Sequence, residues 1–190
     1  MENAIRNNRN QFGVFLDNEV TAMADDDKRI SIPLEGLDDG RRVLLEMLQN
    51  LRRTLYLYTP VVRPELYDDP EVLAAIRGRV VSQPKVRLHW LLPPAREWRS
   101  VCPRLVQLSE RLTTALVLRT PNREESPNRS ELGQAFAIAD ESSLLRFSDP
   151  RRLHGEYDSQ PSERMKELLE FFNGLWSRAQ ADADLRRLGI

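Results

Sequence analysis

The sequence predicts an α/β fold with a mixed, mostly parallel sheet that is sandwiched between helices. Segments rich in strand-forming residues alternate with segments whose apolar residues recur every three or four positions, which is typical of strands connected by helices. The strand segments Leu55–Leu57 and Leu88–Leu92 are almost continuously apolar, as expected where both faces of a parallel sheet are covered. Residues 133–147 break the alternation, because they predict a core strand, a tight turn with Asp140 and Glu141, and a second strand that folds back.

The first clear element is a helix that starts at Asp38 or Asp39, either of which can cap it, and runs to about Arg53. Its apolar stripe has the spacing of one helix face and consists of Val43, Leu44, Met47, Leu48 and Leu51. Residues 54–59 follow at once and are rich in strand formers, and Pro60 ends them. A helix that leads directly into a strand is therefore expected.

A second helix is predicted to start at Asp69 as the cap, with Pro70 in the first helical position. Its buried stripe is expected to contain Val72, Leu73, Ile76 and Val80. The next strand covers residues 86–92, because Pro93 and Pro94 stop it.

The remaining elements are a helix over residues 102–112, a strand over 115–119, a polar loop over 121–130 and the hairpin at 133–147. The last helix begins near residues 159–162 and must pack on the sheet. Its apolar stripe contains Met165, Leu168, Leu169, Phe172, Leu175, Trp176 and Ala179.

Residues 1–35 are expected to form a tail with short strand pieces that is partly mobile, and residues 36–190 a single domain. Asparagines near the start are poor helix formers, and Asp25–Asp27 repel one another. Ile30–Leu34 alternates like a short edge strand, since Pro33 excludes a central position.

Charge and composition limit the function classes. Lys and Arg number 28 and Asp and Glu 29, so the net charge of −1 argues against a strongly electrostatic nucleic-acid binder but leaves room for a local basic patch. The single Cys102 excludes an internal disulfide and suits a reducing compartment. No apolar run approaches the ~20 residues of a membrane helix, and the polar first residues do not predict a secretory signal. We therefore expect a cytoplasmic protein that does not bind membranes.

No cofactor or metal is expected. Two histidines and one cysteine are too few for a zinc site of nitrogen and sulfur ligands. Asp25–Asp27 lacks the alternation of a calcium loop, and the glycine-rich phosphate-binding motifs are absent.

The order of elements and the hairpin strand resemble one half of the phospholipase D superfamily. In that family a strand carries the motif His-x-Lys-x4-Asp, followed by a short turn, a returning strand and a serine-containing site element. Asp140 matches the motif aspartate, whereas Gly133 stands at the histidine position and Ala135 at the lysine position. Ser148 lies where the family has its serine. The resemblance covers roughly residues 37–180.

The resemblance implies a fold of this type without its chemistry. The family needs the histidine as nucleophile and the lysine to bind phosphate, and glycine and alanine supply neither. We therefore expect a pseudoenzyme that acts as a binding or regulatory module for a protein partner that the sequence does not identify. Single-motif members of the family pair two units, so the resemblance also implies a homodimer as one arrangement.

Alternation along the hairpin strand separates two faces. One face carries only small residues, namely Gly133, Ala135, Ala137 and Ala139. The other carries Gln134, Phe136, Ile138 and Asp140. Small residues indicate close packing, either of a helix on the sheet, which we favour, or of a partner chain.

Three further groups of residues remain candidates. A diverged hydrolase or phosphodiesterase would use a relocated site near Ser148, His154 and Glu156, with His154 in a loop that follows the hairpin. A weak single-strand nucleic-acid binder would use Trp98 together with Arg96 and Arg99. We also consider Trp98 as a contact for a protein partner or for the chain's own lid over the end of the sheet. His89 is expected to be a core or interface residue that is hydrogen-bonded to a neighbour, and Cys102 a buried small hydrophobe.

Overall fold

The computed structural model describes residues 31–121 and 131–180. The predictions for residues 1–30 and for the polar loop at 122–130 lie outside the described residues. Seven strands form one sheet: β1 (Ser31–Glu35), β2 (Thr54–Tyr58), β3 (Arg87–Leu91), β4 (Leu116–Arg119), β5 (Ala135–Ala139), β6 (Ser143–Asp149) and β7 (His154–Asp158). Five helices pack on it: α1 (Leu37–Asn50), α2 (Pro64–Tyr67), α3 (Pro70–Ser82), α4 (Pro103–Arg111) and α5 (Glu163–Arg178).

The strand order is β1-β7-β6-β5-β2-β3-β4, which places β5 in the centre. Only β2, β3 and β4 pair in parallel, through helical crossovers. The other four pairings are antiparallel. The mixed α/β fold is thus confirmed, whereas the expectation of a mostly parallel sheet is wrong. The physical reason is that β5, β6 and β7 are joined by short turns, which can connect only antiparallel neighbours.

Helices cover both faces of the sheet, as the sequence predicts. The helices α1 to α4 share one apolar core with the side chains of one sheet face, including Leu55, Leu88 and Ala137. The helix α5 forms a second core with the opposite face, including Phe136 and Ile138. The sandwich of helices around the sheet is therefore confirmed.

Local signals explain where most elements begin. The Asp69 carboxylate accepts hydrogen bonds from the backbone amides of Glu71 and Val72, so α3 starts with the predicted cap. The Ser162 hydroxyl caps α5 by accepting from the Met165 amide. The start of α1 differs from the prediction, because its cap residue is Gly36, and neither nearby aspartate caps it.

The strand β1 confirms the predicted edge strand. It also shows that residues 31–35, which precede the predicted start of the domain at residue 36, belong to the sheet. Its Leu34 is buried, and Pro33 lacks the N–H that an inner position would require. Glu35 lies two residues after Pro33, so its backbone has the same orientation in the strand. The Glu35 amide donates to the Asp39 carboxylate at 3.1 Å. Two of the outward positions on this edge are therefore unable to donate to another strand, which protects the edge from pairing with a second chain.

Candidate functional site

The small-residue face of β5 lies under a helix of the same chain. Ala135, Ala137 and Ala139 are buried in the core that contains the apolar stripe of α1. Close approach is built into α1 as well, because a Cβ at Gly40 would lie 2.9 Å from the ring of Phe147 on β6. The prediction that a helix packs tightly here is confirmed, and this face is not available to a partner chain.

Gly133 and Ala135 lie in different surroundings at the start of β5. Gly133 ends a 3₁₀ turn, Glu131–Gly133, and is exposed, with open space where a Cβ would project. Ala135 is fully buried and pairs with Phe147 on β6. The two positions therefore do not form one solvent-facing pair.

Asp140 lies at the other end of β5 and has a structural role. Its carboxylate accepts hydrogen bonds from three consecutive backbone amides, those of Arg52 at 2.7 Å, Arg53 at 2.7 Å and Thr54 at 2.9 Å. Its own amide donates to the Thr54 carbonyl at 2.8 Å. Asp140 and Glu141 both have positive φ, of 52° and 55°, which non-glycine residues rarely adopt. The carboxylate thus fastens a strained hairpin turn to the loop between α1 and β2.

The residues proposed for a relocated site lie on the neighbouring strands β6 and β7 but do not form a catalytic relay. Ser148 and His154 are both exposed, and the Ser148 hydroxyl contacts the His154 backbone carbonyl at 3.4 Å. The Glu156 carboxylate is held by Arg146 at 2.5 Å. Within the described residues, no hydrogen bond joins the His154 imidazole to Ser148 or Glu156. His154 is also the first residue of β7, so its predicted loop position is wrong.

A polar network that the sequence analysis missed lies next to these residues, on the α5 side of the sheet. Its members are Glu131, Gln134, Arg146, Glu156 and Arg164. The Gln134 side-chain oxygen accepts from Arg146 at 3.0 Å and from Arg164 at 3.2 Å. Arg164 also pairs with the buried Glu131 at 2.8 Å. Two cations thus meet two carboxylates, and the network fastens α5 to the start of β5. Alternation along β5 and β6 was the available signal, because it places Gln134 and Arg146 on the α5 face.

Trp98 does not form the expected surface contact. Its side chain is only 1% exposed, and its indole N–H donates to the Pro93 carbonyl at 3.0 Å. Arg96 is exposed and Arg99 partly exposed, so the arginines flank a buried ring. The physical reason is that the tight turn after β3 folds Trp98 back on the core, where its one donor finds a local acceptor.

His89 lies in an aromatic cluster rather than beside a hydrogen-bonding neighbour. Its ring stacks on Trp176 of α5, with centroids 4.7 Å apart, and meets Tyr56 edge-on at 5.7 Å. The Arg119 guanidinium lies over the ring of Trp176, 4.4 Å from its centroid. Burial and the charges of Arg119 and Arg87 lower the pKa of His89 below its usual value. The neutral imidazole is therefore favoured.

Cys102 is buried, as predicted for a small hydrophobe. Burial, followed by the charges of Asp68 and Glu65, raises the pKa of the Cys102 thiol to about 12. Burial and the raised pKa both favour the neutral thiol, which is consistent with the predicted role as a small hydrophobic core residue.

Residues 31–121 and 131–180 contain no group of three or more His, Cys, Asp or Glu side chains that could hold a metal ion. Among those same residues, no helix is both long and apolar enough to cross a bilayer.

The family model described as a domain of unknown function, DUF7931, matches residues 36–188. The chain belongs to this family. The DUF7931 match takes in every described element except β1. No curated protein matches the sequence.

Two solved structures share the fold of this DUF7931 chain. One is the archaeal chromatin protein TrmBL2, described with a novel mode of DNA binding, with a TM-score of 0.56, 15% identity and coverage of 84% of this chain and 56% of the other. The second is phosphatidylserine synthase from Haemophilus influenzae Rd KW20, with a TM-score of 0.50, 11% identity and coverage of 83% and 43%. The chain therefore spans about half the length of these structures. At such low identity the likeness shows the fold alone, which is phospholipase D-like.

Proposed function

We propose that this chain is a non-catalytic phospholipase D-like domain that acts as a binding or regulatory module. The observation that carries the proposal is the environment of Gly133 and Ala135, which we align with the histidine and lysine of the phosphodiesterase motif. An exposed glycine has no nucleophilic atom, and a fully buried alanine has no charge for a phosphate.

The role of Asp140 supports the same conclusion. We align it with the motif aspartate, and its carboxylate is committed to the amides of Arg52, Arg53 and Thr54. A carboxylate with this structural role can be present whether or not a reaction takes place. The presence of the aspartate therefore does not argue for activity.

A relocated active site has little support from the geometry. Ser148 contacts a backbone carbonyl rather than the His154 imidazole, and Glu156 is neutralised by Arg146. A serine nucleophile requires a base within hydrogen-bonding distance and a third group that orients that base. Neither relation is present among these three side chains.

The nature of the bound partner is also a proposal. The two structural neighbours are a chromatin protein described as binding DNA and a lipid synthase, and neither likeness transfers a ligand. Pairing with a second copy would have to use a surface other than the alanine face of β5, since α1 covers that face. A cytoplasmic location is part of the same proposal, because one unpaired cysteine suits a reducing compartment.

A hydrolysis assay tests the absence of catalysis. We expect the purified protein to release no more p-nitrophenol from bis(p-nitrophenyl) phosphate than a blank does, and to leave labelled oligonucleotides uncut. The proposal is overturned if hydrolysis occurs and is lost in His154→Gln or Ser148→Ala, while the exposed control Glu141→Gln keeps it. Those two variants change exposed side chains and are expected to fold normally.

A further inference from the structure

Four exposed cations lie together at the end of the sheet where β2 and β3 begin. We call Arg52, Arg53, Lys85 and Arg87 the basic rim. Pairing of β2 with β3 brings its two halves together, since the Arg87 amide donates to the Arg53 carbonyl at 2.8 Å and Arg87 is in register with Thr54. The rim is therefore a tertiary feature that joins two separate loops.

The Arg87 guanidinium of the basic rim donates to the backbone carbonyls of Pro84 and Val86, both at 2.8 Å, which leaves its charge without a carboxylate partner. None of the four side chains forms an ion pair with another described residue, whereas the arginines of the polar network around Gln134 are both paired. Two carboxylates are nearby, and Asp140 is committed to backbone amides, which leaves Glu141 as the exposed acid of the turn. The rim keeps a local positive charge in a chain whose net charge is −1.

Helix dipoles explain only part of this concentration of charge. The rim follows the C-termini of α1 and α3, where cations are favoured by the partial negative charge of the helix end. That effect falls off within the last turn, and all four residues lie beyond the last residues, Asn50 and Ser82. The last-turn cation of α3 is Arg79, which is already bound to the Leu48 carbonyl.

Aromatic rings adjoin the rim on the α5 side of the sheet. Tyr56 and His89 are neighbours across β2 and β3, and both are only half-buried, although Tyr56 contacts Phe172 of α5 and His89 stacks on Trp176. Alternation along β3 places Arg87 on the same face as His89. The cationic surface of the rim is thus continuous with the partly exposed rings of Tyr56 and His89.

We propose that the basic rim and the adjoining Tyr56–His89 pair bind single-stranded nucleic acid, with the cations on phosphates and the rings against bases. This inference names the partner class of the proposed binding module and rests on that proposed function. Grooves and channels for single strands combine a positive surface with aromatic stacking partners. A duplex exposes its bases only in its grooves, and within residues 31–121 and 131–180 the rim consists of loop and strand residues that follow the ends of α1 and α3 rather than of a helix that could enter a groove.

Fluorescence anisotropy with a labelled thymidine oligonucleotide, titrated at several salt concentrations, tests the proposal. For single strands each phosphate contact adds about 0.7 to the slope of log K against log salt, so four contacts predict a slope near −3. We expect Arg52→Gln/Arg53→Gln to reduce that slope by about 1.4 and to weaken binding about tenfold or more at low salt.

The matched control is Arg151→Gln/Arg152→Gln, which removes the same charge from an exposed loop at the opposite end of the sheet. It should leave affinity and slope within twofold of the unmodified protein. Tyr56→Leu should weaken binding about tenfold without changing the slope, because stacking carries no counterion release. Circular dichroism and thermal unfolding verify that each variant is folded.

Three results would overturn the inference: no binding at low salt, equal losses in the rim and control double variants, or duplex binding as tight as single-strand binding and insensitive to Tyr56→Leu. The oligonucleotide recovered after each titration is then examined on a denaturing gel. Cut strands would contradict the proposed non-catalytic function, whereas intact strands without binding would contradict only the present inference.

Discussion

The two ends of β5 differ in what their side chains do. At its start, Gly133 faces open space and Ala135 is enclosed by the core under α1. At its far end, the Asp140 carboxylate accepts three backbone hydrogen bonds and holds a turn with two positive φ angles. One end of the strand has no reactive group, and the other has a residue engaged in folding.

This difference shows that a residue at a motif position can have a structural role or a catalytic role. Under the proposed alignment, the aspartate is present because its removal would leave donors in the α1–β2 loop without a partner. At the position aligned with the lysine, Ala135 is packed in the core, and at the position aligned with the histidine, Gly133 faces open space, so small residues at both positions are compatible with the fold. A motif residue that is present is therefore not by itself a sign of activity.

The largest effect is expected from placing a lysine at the start of β5. Ala135→Lys inserts a long, charged chain at a fully buried position, which should lower the free energy of unfolding by about 4 kcal/mol through overpacking and charge burial. Urea denaturation followed by circular dichroism measures the loss. The expected outcome includes no gain of phosphodiesterase activity.

Gly133→His is the matched control for that substitution. Its Cβ would meet nothing within 4 Å, so the free energy of unfolding should change by no more than about 0.5 kcal/mol. If Ala135→Lys were as stable as Gly133→His, the two positions would share one open site, and the contrast between them would be lost.

The second effect concerns the far end of the strand. Asp140→Ala removes the acceptor of three amides and should lower the free energy of unfolding by about 3 kcal/mol, with Asp140→Asn intermediate because an amide oxygen still accepts. Glu141→Ala changes the exposed neighbour in the same turn and serves as the control, with an expected change below about 0.5 kcal/mol. Equal effects at the two positions would show that the turn, rather than the carboxylate, provides the stability.

Much of the fold follows from local sequence patterns. The apolar stripes of α1, α3 and α5, the Asp69 cap and the alternation along β5 each place residues correctly, because helix and strand periods are local properties. The strand β7 escaped prediction, since Tyr157 is its one buried side chain and five residues give too little alternation. Whether strands pair parallel or antiparallel depends on chain reversals rather than on composition, which explains the overestimate of parallel pairing.

The candidate site was less predictable because its parts come from distant segments. Trp98 looked exposed beside two arginines, and only the fold of the turn shows that its indole N–H is satisfied by Pro93. The basic rim needs the pairing of β2 with β3 to unite Arg53 and Arg87. A usable signal was present all the same, since Arg52 and Arg53 stand at the predicted end of the first helix and Lys85 and Arg87 at the start of the strand predicted for residues 86–92.

The smallest expected effect distinguishes the two histidines of the chain. His89 is half-buried, and burial, with Arg119 and Arg87 nearby, lowers its pKa below the ordinary 6.5. The folded state therefore binds fewer protons than the unfolded state when the pH falls below about 6.5, and stability decreases as the pH drops through that value towards the lower folded pKa. We expect the urea midpoint to decrease as the pH is lowered from about 7.5 to about 5.5. His89→Gln should make this decrease smaller.

His154→Gln supplies the control, because His154 is exposed at the opposite end of the sheet. It should leave the pH dependence of the urea midpoint as it is in the unmodified protein. The reverse result, with the dependence lost in His154→Gln and kept in His89→Gln, would place the proton-sensitive group at the start of β5 rather than beside the basic rim. It would also remove the account of a His89 imidazole that burial and the charges of Arg119 and Arg87 keep neutral.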